Sequence, residues 1–235
     1  MITWGISANS HDAALAVFSN SGLEFASHAE RFSGIKNDAH LNFKLIDYAK
    51  QWGEPNEVVW YERPFRKTLR QLRAGQGWNH SENNIKSYLK SYGITAPIKY
   101  TSHHHSHAAY YTSSFTNATI VCIDSIGEFE TLTVWEGNGN KLKKIYSQGY
   151  PNSVGLWYSA MTQRIGLKPN EDEYILMGMA AYGDPRRLWD DMYEMFDYVD
   201  GANVRYKDNL HRGCKRWKPE LTTEQDMFDI AAATQ

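Results

Sequence analysis

The chain has 235 residues, 42% hydrophobic and 22% charged, so it can bury a core of its own and does not read as disordered. Twenty-five Lys and Arg against 27 Asp and Glu leave a net charge of -2, which argues against a nucleic-acid coat or a polybasic membrane anchor. The longest apolar run, residues 13–18, falls far short of the roughly 20 that span a bilayer, residues 1–4 have no signal-peptide pattern, and two cysteines make no disulfide framework, so a cytoplasmic protein is expected.

In chain order, residues 2–7, 13–18 and 23–29 read as three short strands, joined by the polar turns 8–12 and 20–22, which predicts an antiparallel meander. A helix follows over 41–52, with Leu41, Leu45, Ile46 and Ala49 on one face. Residues 58–61 form a short strand. Pro64 opens a helix over 64–73, whose Phe65, Leu69 and Leu72 make an apolar stripe and whose Arg66, Arg70 and Arg73 make a basic one. Residues 74–84 read as loop, 85–92 as helix, 98–101 as a strand edge and 102–111 as a histidine-rich helix. A second meander is expected from a strand over 118–123 that ends at Asp124, then strands over 129–136 and 142–147. Helices are expected over 158–165, 173–181 and 185–198. Thr222 or Thr223 caps a last helix, with Gln225 and Asp226 three residues on and no C-terminal stop signal, so the sequence reads as the front of something longer.

The histidine cluster carries the strongest chemical signal. His103 and His107 are four apart, so a helix sets both imidazoles on one face as ready ligands for a divalent transition metal. A site needs at least one more ligand, and Asp124, at the end of a strand of buried character, is the candidate. His104 and His105 point elsewhere on the helix. The plainer alternative is a polar surface helix or a set of satisfied core histidines. Residues 124–128 (Asp-Ser-Ile-Gly-Glu) form a turn whose Ser125 and Gly127 could offer backbone N–H groups to phosphate. The first turn, Ala8-Asn9-Ser10-His11-Asp12, has the same build, and two such turns suit a nucleotide clamp, although each alone is an ordinary solvent turn. The acids of 168–183 open a helix at the favourable end of its dipole, and Gly178, Ala180 and Ala181 allow close backbone approach.

Taken together these segments resemble the O-carbamoyltransferases that decorate nodulation factors and antibiotics. The resemblance rests on Gly5-Ile6-Ser7-Ala8 with His11-Asp12-Ala13-Ala14, on Glu30-Arg31-Phe32 with Ile35-Lys36, and on the segments 103–109, 124–128 and 168–183, which follow the family's order. It implies an α/β fold: an actin-like, ribonuclease-H-like lobe with mixed sheets and flanking helices, related to the tRNA threonylcarbamoyl-adenosine enzymes. It implies a reaction in which carbamoyl phosphate and ATP give carbamoyl-adenylate, whose carbamoyl group passes to a hydroxylated small-molecule acceptor. Residue by residue it makes His103, His107 and Asp124 ligands of an iron-type metal. Lys36 becomes a contact to the carbamoyl-adenylate, and His11 the base that takes the acceptor proton. Asn9 faces the acceptor, and Asp124, Ser125, Gly127 and Glu128 form the nucleotide-side loop.

The sequence departs from the pattern at Ser125, which stands where glycine is usual, and at Ile175, which stands where lysine is usual. Members of the family continue past this length with another metal-binding aspartate and a separate carbamoyl-processing domain. The expectation is therefore a lobe over 1–220 and the start of a second over 221–235, with a second chain as one source of the rest. Two alternatives stand: a non-catalytic split or decayed lobe that holds metal, nucleotide or a partner, and a tRNA-acting relative, against which the even charge counts.

Overall fold

The computed structural model describes residues 1–10, 12–78, 83–108, 110, 113–201 and 203–235. It divides into two compact units, 1–109 and 110–235. The chain is mixed α/β, with mixed sheet and flanking helices.

In the first unit the expected meander is present as β1 (Thr3–Ser7), β2 (Ala14–Ser19) and β3 (Gly22–His28). A four-residue helix, α1 (Glu30–Ser33), follows, which periodicity could not show because it is a single turn closed by Gly34 at φ 72°. Next come α2 (Phe43–Ala49), capped by the Asn42 side chain on the Leu45 N–H, β4 (Glu57–Trp60), α3 (Pro64–Arg73), α4 (Ile85–Ser91), β5 (Ile98–Tyr100) and α5 (His103–His107). The five strands form one sheet in the order β3-β2-β1-β4-β5. β1 to β3 pair antiparallel, whereas β4 and β5 run parallel to β1, each arriving by a helical crossover. Alternation puts Trp4 and Ile6 on one face, in register with Val17 and Leu15 of β2 and with Val58 and Trp60 of β4. All six are buried, and with Leu45, Ile46 and Leu89 from α2 and α4 they form the core.

Helix α3 has the predicted limits, but its faces are reversed. Phe65 and Leu72 are 61% and 51% exposed, whereas Lys67 and Thr68 are buried. The reason is polar. Lys67 meets a buried carboxylate, and Thr68 accepts from the Asn83 amide at 2.8 Å while donating to the Pro64 carbonyl at 3.1 Å.

The second unit holds the second meander: β6 (Asn117–Gly127), β7 (Glu130–Asn138) and β8 (Lys141–Gly149), all antiparallel. β6 does not stop at Asp124; it continues to Gly127 past an irregularity in pairing after Ile123. Then come α6 (Val154–Arg164), which starts four residues before expectation because Ser153 caps the Leu156 N–H, α7 (Glu173–Met179) and α8 (Trp189–Tyr193). The single helix expected over 185–198 is absent. Beyond α8 the chain turns into a hairpin of β9 (Phe196–Asp200) and β10 (Asn203–Tyr206). The β-forming Phe196, Tyr198 and Val199, and Gly201 at φ 55°, explain the switch. The last helix, α9 (Glu224–Thr234), has the expected cap as a full capping box of Thr223 and Asp226. Its Ile230 and Ala231 pack with Met161, Ile165, Leu176, Leu188 and Met192 in a separate core. The close approach expected at Gly178 lies instead at Gly183, where a Cβ would collide with the Phe228 backbone, while Gly178 faces open space.

Candidate functional site

In the first unit three parallel neighbours, β1, β4 and β5, end at the same edge of the sheet. Each C-terminal end feeds a chemical segment: the loop 8–12 after β1, Tyr61 and Glu62 after β4, and α5 with its histidines after β5. The strand order also reverses at β1, which is where open α/β sheets form binding crevices.

The histidine pair is as expected. His103 Nε2 and His107 Nε2 stand 3.0 Å apart, with ring centroids at 4.7 Å. Two imidazole nitrogens this close on one helix face are donors of the kind that suits a divalent transition metal. His104 is fully buried, and His105 bonds Thr101 through Nδ1 at 2.9 Å, so neither joins the pair.

The loop after β1 is held from two sides. Asn9 lies in the left-handed region at φ 62°, as does Asp12 at φ 56°. The Asn9 N–H donates to the Ala39 carbonyl at 2.9 Å, and the Ala13 N–H to the Asp38 carbonyl at 2.7 Å. These bonds set the segment after Lys36 beside the loop. Lys36 itself is exposed, in a turn where the Asn37 N–H donates to Glu30 Oε2 at 3.1 Å. From below, the Lys67 ammonium donates to the Asn9 carbonyl at 3.0 Å and to Glu62 Oε1 at 2.6 Å. Both charged side chains are buried. The Tyr61 hydroxyl lies near the Glu62 and Ser10 side chains. Burial, reinforced by the Glu62 charge, pushes its pKa far above the ordinary value, so it stays a phenol. The Tyr61 ring also meets His103 edge-on, with centroids 5.5 Å apart. His11 lies outside the described residues.

Sequence reasoning missed Tyr61, Glu62 and Lys67. The available signal was an acid directly past a strand with a lysine one helical turn beyond the proline. Reading the helix by its apolar stripe hid it.

In the second unit, Asp124 is half-buried in β6. Its Oδ1 accepts the Ser125 N–H at 2.6 Å, and its carbonyl accepts the Ser153 hydroxyl at 3.0 Å, joining the strand to the cap of α6. Gly127 pairs with Glu130 across a two-residue turn. The left-handed conformation there falls on Glu128, at φ 57°, whose side chain is buried. Gly155, in the first turn of α6, packs so tightly on this loop that a Cβ would stand 2.8 Å from the Ser125 backbone. Burial pushes the nearby Cys122 thiol up, which disfavours a thiolate nucleophile.

The sequence profile of the carbamoyltransferase N-terminus matches residues 62–232, and the chain belongs to that family. A Synechocystis protein, sll1178, is 31% identical over 98% of this chain and 45% of its own length. The nodulation protein NolNO of Sinorhizobium fredii is 28% identical over 96% of this chain and 36% of its own. The nodulation protein NolO of Bradyrhizobium diazoefficiens is 35% identical over 44% of this chain and 19% of its own. The chain thus spans less than half the length of these curated relatives. Among solved structures, an Aquifex aeolicus Ppx/GppA phosphatase aligns over 79% of this chain and 65% of its own, at 13% identity and a TM-score of 0.36, too loose to argue from.

Proposed function

We propose that this chain supplies the acceptor-side lobe of an O-carbamoyltransferase with an actin-like fold. In that reaction water releases phosphate from carbamoyl phosphate to leave carbamate, whose oxygen attacks the α-phosphorus of ATP, so that carbamoyl-adenylate forms and pyrophosphate leaves. The oxygen of a hydroxylated small molecule then attacks the carbamoyl carbon, the bond from that carbon to the adenylate oxygen breaks, and AMP leaves. A hydroxyl is a weak nucleophile near neutral pH, and His11 is the base that receives its proton. Asn9 faces the acceptor, and Lys36 offsets charge on the carbamoyl-adenylate. Ser125, Gly127 and Glu128 form the nucleotide-side loop.

His103, His107 and Asp124 are the proposed holders of a divalent metal, iron by family resemblance. Such an ion would supply Lewis-acid polarisation near the adenylate oxygens. The observation that carries the reading is the 3.0 Å pair of imidazole nitrogens within a chain of this family.

The test is a metal titration of wild type, His103→Ala and Asp124→Ala, followed by a transfer assay with ATP, carbamoyl phosphate or carbamoyl-adenylate and hydroxylated acceptors. Wild type is expected to bind one equivalent tightly, and His103→Ala to lose it. Stoichiometric metal in His103→Ala overturns the ligand assignment. Metal and nucleotide binding with no transfer from any donor points to a non-catalytic lobe. Transfer to tRNA alone would move the acceptor to nucleic acid.

A further inference from the structure

Helix α3 turns a lysine inward and leaves its leucines and phenylalanine exposed, which needs an explanation. Burying a lysine and a glutamate costs desolvation, and an apolar pair of the same size is often as stable. The pair therefore has to be explained by what it holds rather than by stability. An ammonium has three donors and no acceptor. One donor of Lys67 goes to Glu62 and another to the Asn9 carbonyl, where the chain has just left β1 and takes a left-handed turn. The hydroxyl of Tyr61, next to Glu62, reaches Ser10 in the same loop, and its ring lies against His103. The buried Lys67–Glu62 pair thus joins the β1 loop to the end of β4, and Tyr61 beside it meets the imidazole pair.

We propose that Lys67 is a positioning residue: its ammonium, matched by Glu62, fixes the loop after β1 through the Asn9 carbonyl and so sets where the acceptor hydroxyl meets the carbamoyl donor. The second half of that statement rests on the carbamoyltransferase reading; the first half does not. Glu62 keeps the ammonium aimed, and Tyr61 ties the same loop to the helix that carries the histidines.

The test separates positioning from folding. Lys67→Met leaves Glu62 buried without its counter-charge, and its thermal midpoint is expected to fall steeply. Glu62→Gln/Lys67→Met removes both charges, so most of the midpoint should return, but no ammonium remains for the Asn9 carbonyl. In this double variant, hydrogen exchange of the Asn9 and Ala13 amides is expected to accelerate, while β2 and β4 keep wild-type protection. Metal stoichiometry should also remain that of wild type. Transfer from supplied carbamoyl-adenylate should drop about a hundredfold in kcat, the size of effect that a small misplacement of reacting groups produces. Wild-type exchange in the loop together with wild-type transfer in the double variant would overturn the proposal. A double variant that stays as unstable as Lys67→Met would also overturn it, because the network would then be structural support. If wild type itself transfers nothing, the carbamoyltransferase reading and the acceptor half of the proposal fail together, while the exchange data still decide whether Lys67 holds the loop.

Discussion

Residues in this chain take roles that their type alone does not announce. Gly155 shows it most simply. It sits in the first turn of α6, and the missing Cβ lets the helix lie directly on the Ser125 backbone. Gly155→Ala is expected to destabilise the second unit by about 1–3 kcal/mol, the usual cost of overpacking, and to shift the amide resonances of 124–128; unchanged stability and spectra would remove the close contact. Ser125, which departs from the family glycine, is compatible with its place because the left-handed turn falls on Glu128 instead. His103 and His107 were legible because their spacing alone sets them on one helix face. Lys67 was not, because a buried lysine is explained only by partners distant in sequence, here Asn9.

Elements were legible where a local signal fixes them. Pro64 starts α3 at its expected residue, and Thr223 with Asp226 starts α9. The segment 185–198 misled because Leu188, Met192 and Met195 continue a helical period into residues that pair as a hairpin. The cap of α9 is also an electrostatic joint. Asp226 and Asp229 both receive Arg187, each at 2.6 Å, and the Asp184 N–H donates to Asp229. For Asp226, hydrogen bonds from the Thr223 hydroxyl and N–H, then from Arg187, hold the carboxyl below its ordinary pKa. For Asp229, burial pushes upward but Arg187, the Asp184 N–H and Gln225 outweigh it, so the net direction is also down. Folded values below the unfolded value of about 3.9 mean that this stabilisation is complete above that pH and is lost as pH falls toward the folded values. Thermal melts between pH 6 and 3 should show a falling midpoint. Arg187→Met should melt lower at pH 6 and lose less on acidification; a parallel pH dependence in both proteins would dismiss the joint.

At the scale of the whole molecule, each unit has its own core, and family membership rests on a match that begins at Glu62 and runs to Ala232. Leu176 is fully buried among Met161, Leu188 and Ile230. Leu176→Ala is expected to cost about 2–5 kcal/mol by denaturant titration, and a loss under 1 kcal/mol would contradict the packing. The two meanders were readable from alternation and turns, and the family match takes in the motif segments 103–109, 124–128 and 168–183. What alternation could not give was strand order: nothing local in 57–60 or 98–100 says that β4 lies beside β1 and β5 beside β4, all three parallel.

That order has a consequence for the imidazole pair. A helix of five residues cannot sustain itself in water, since one turn loses more chain freedom than its few hydrogen bonds return. The spacing of the two rings is therefore inherited from β5, whose place depends on β4 and, through it, on the first strand of the chain. An excised peptide of residues 98–107 would keep all four histidines of α5 and lose their alignment.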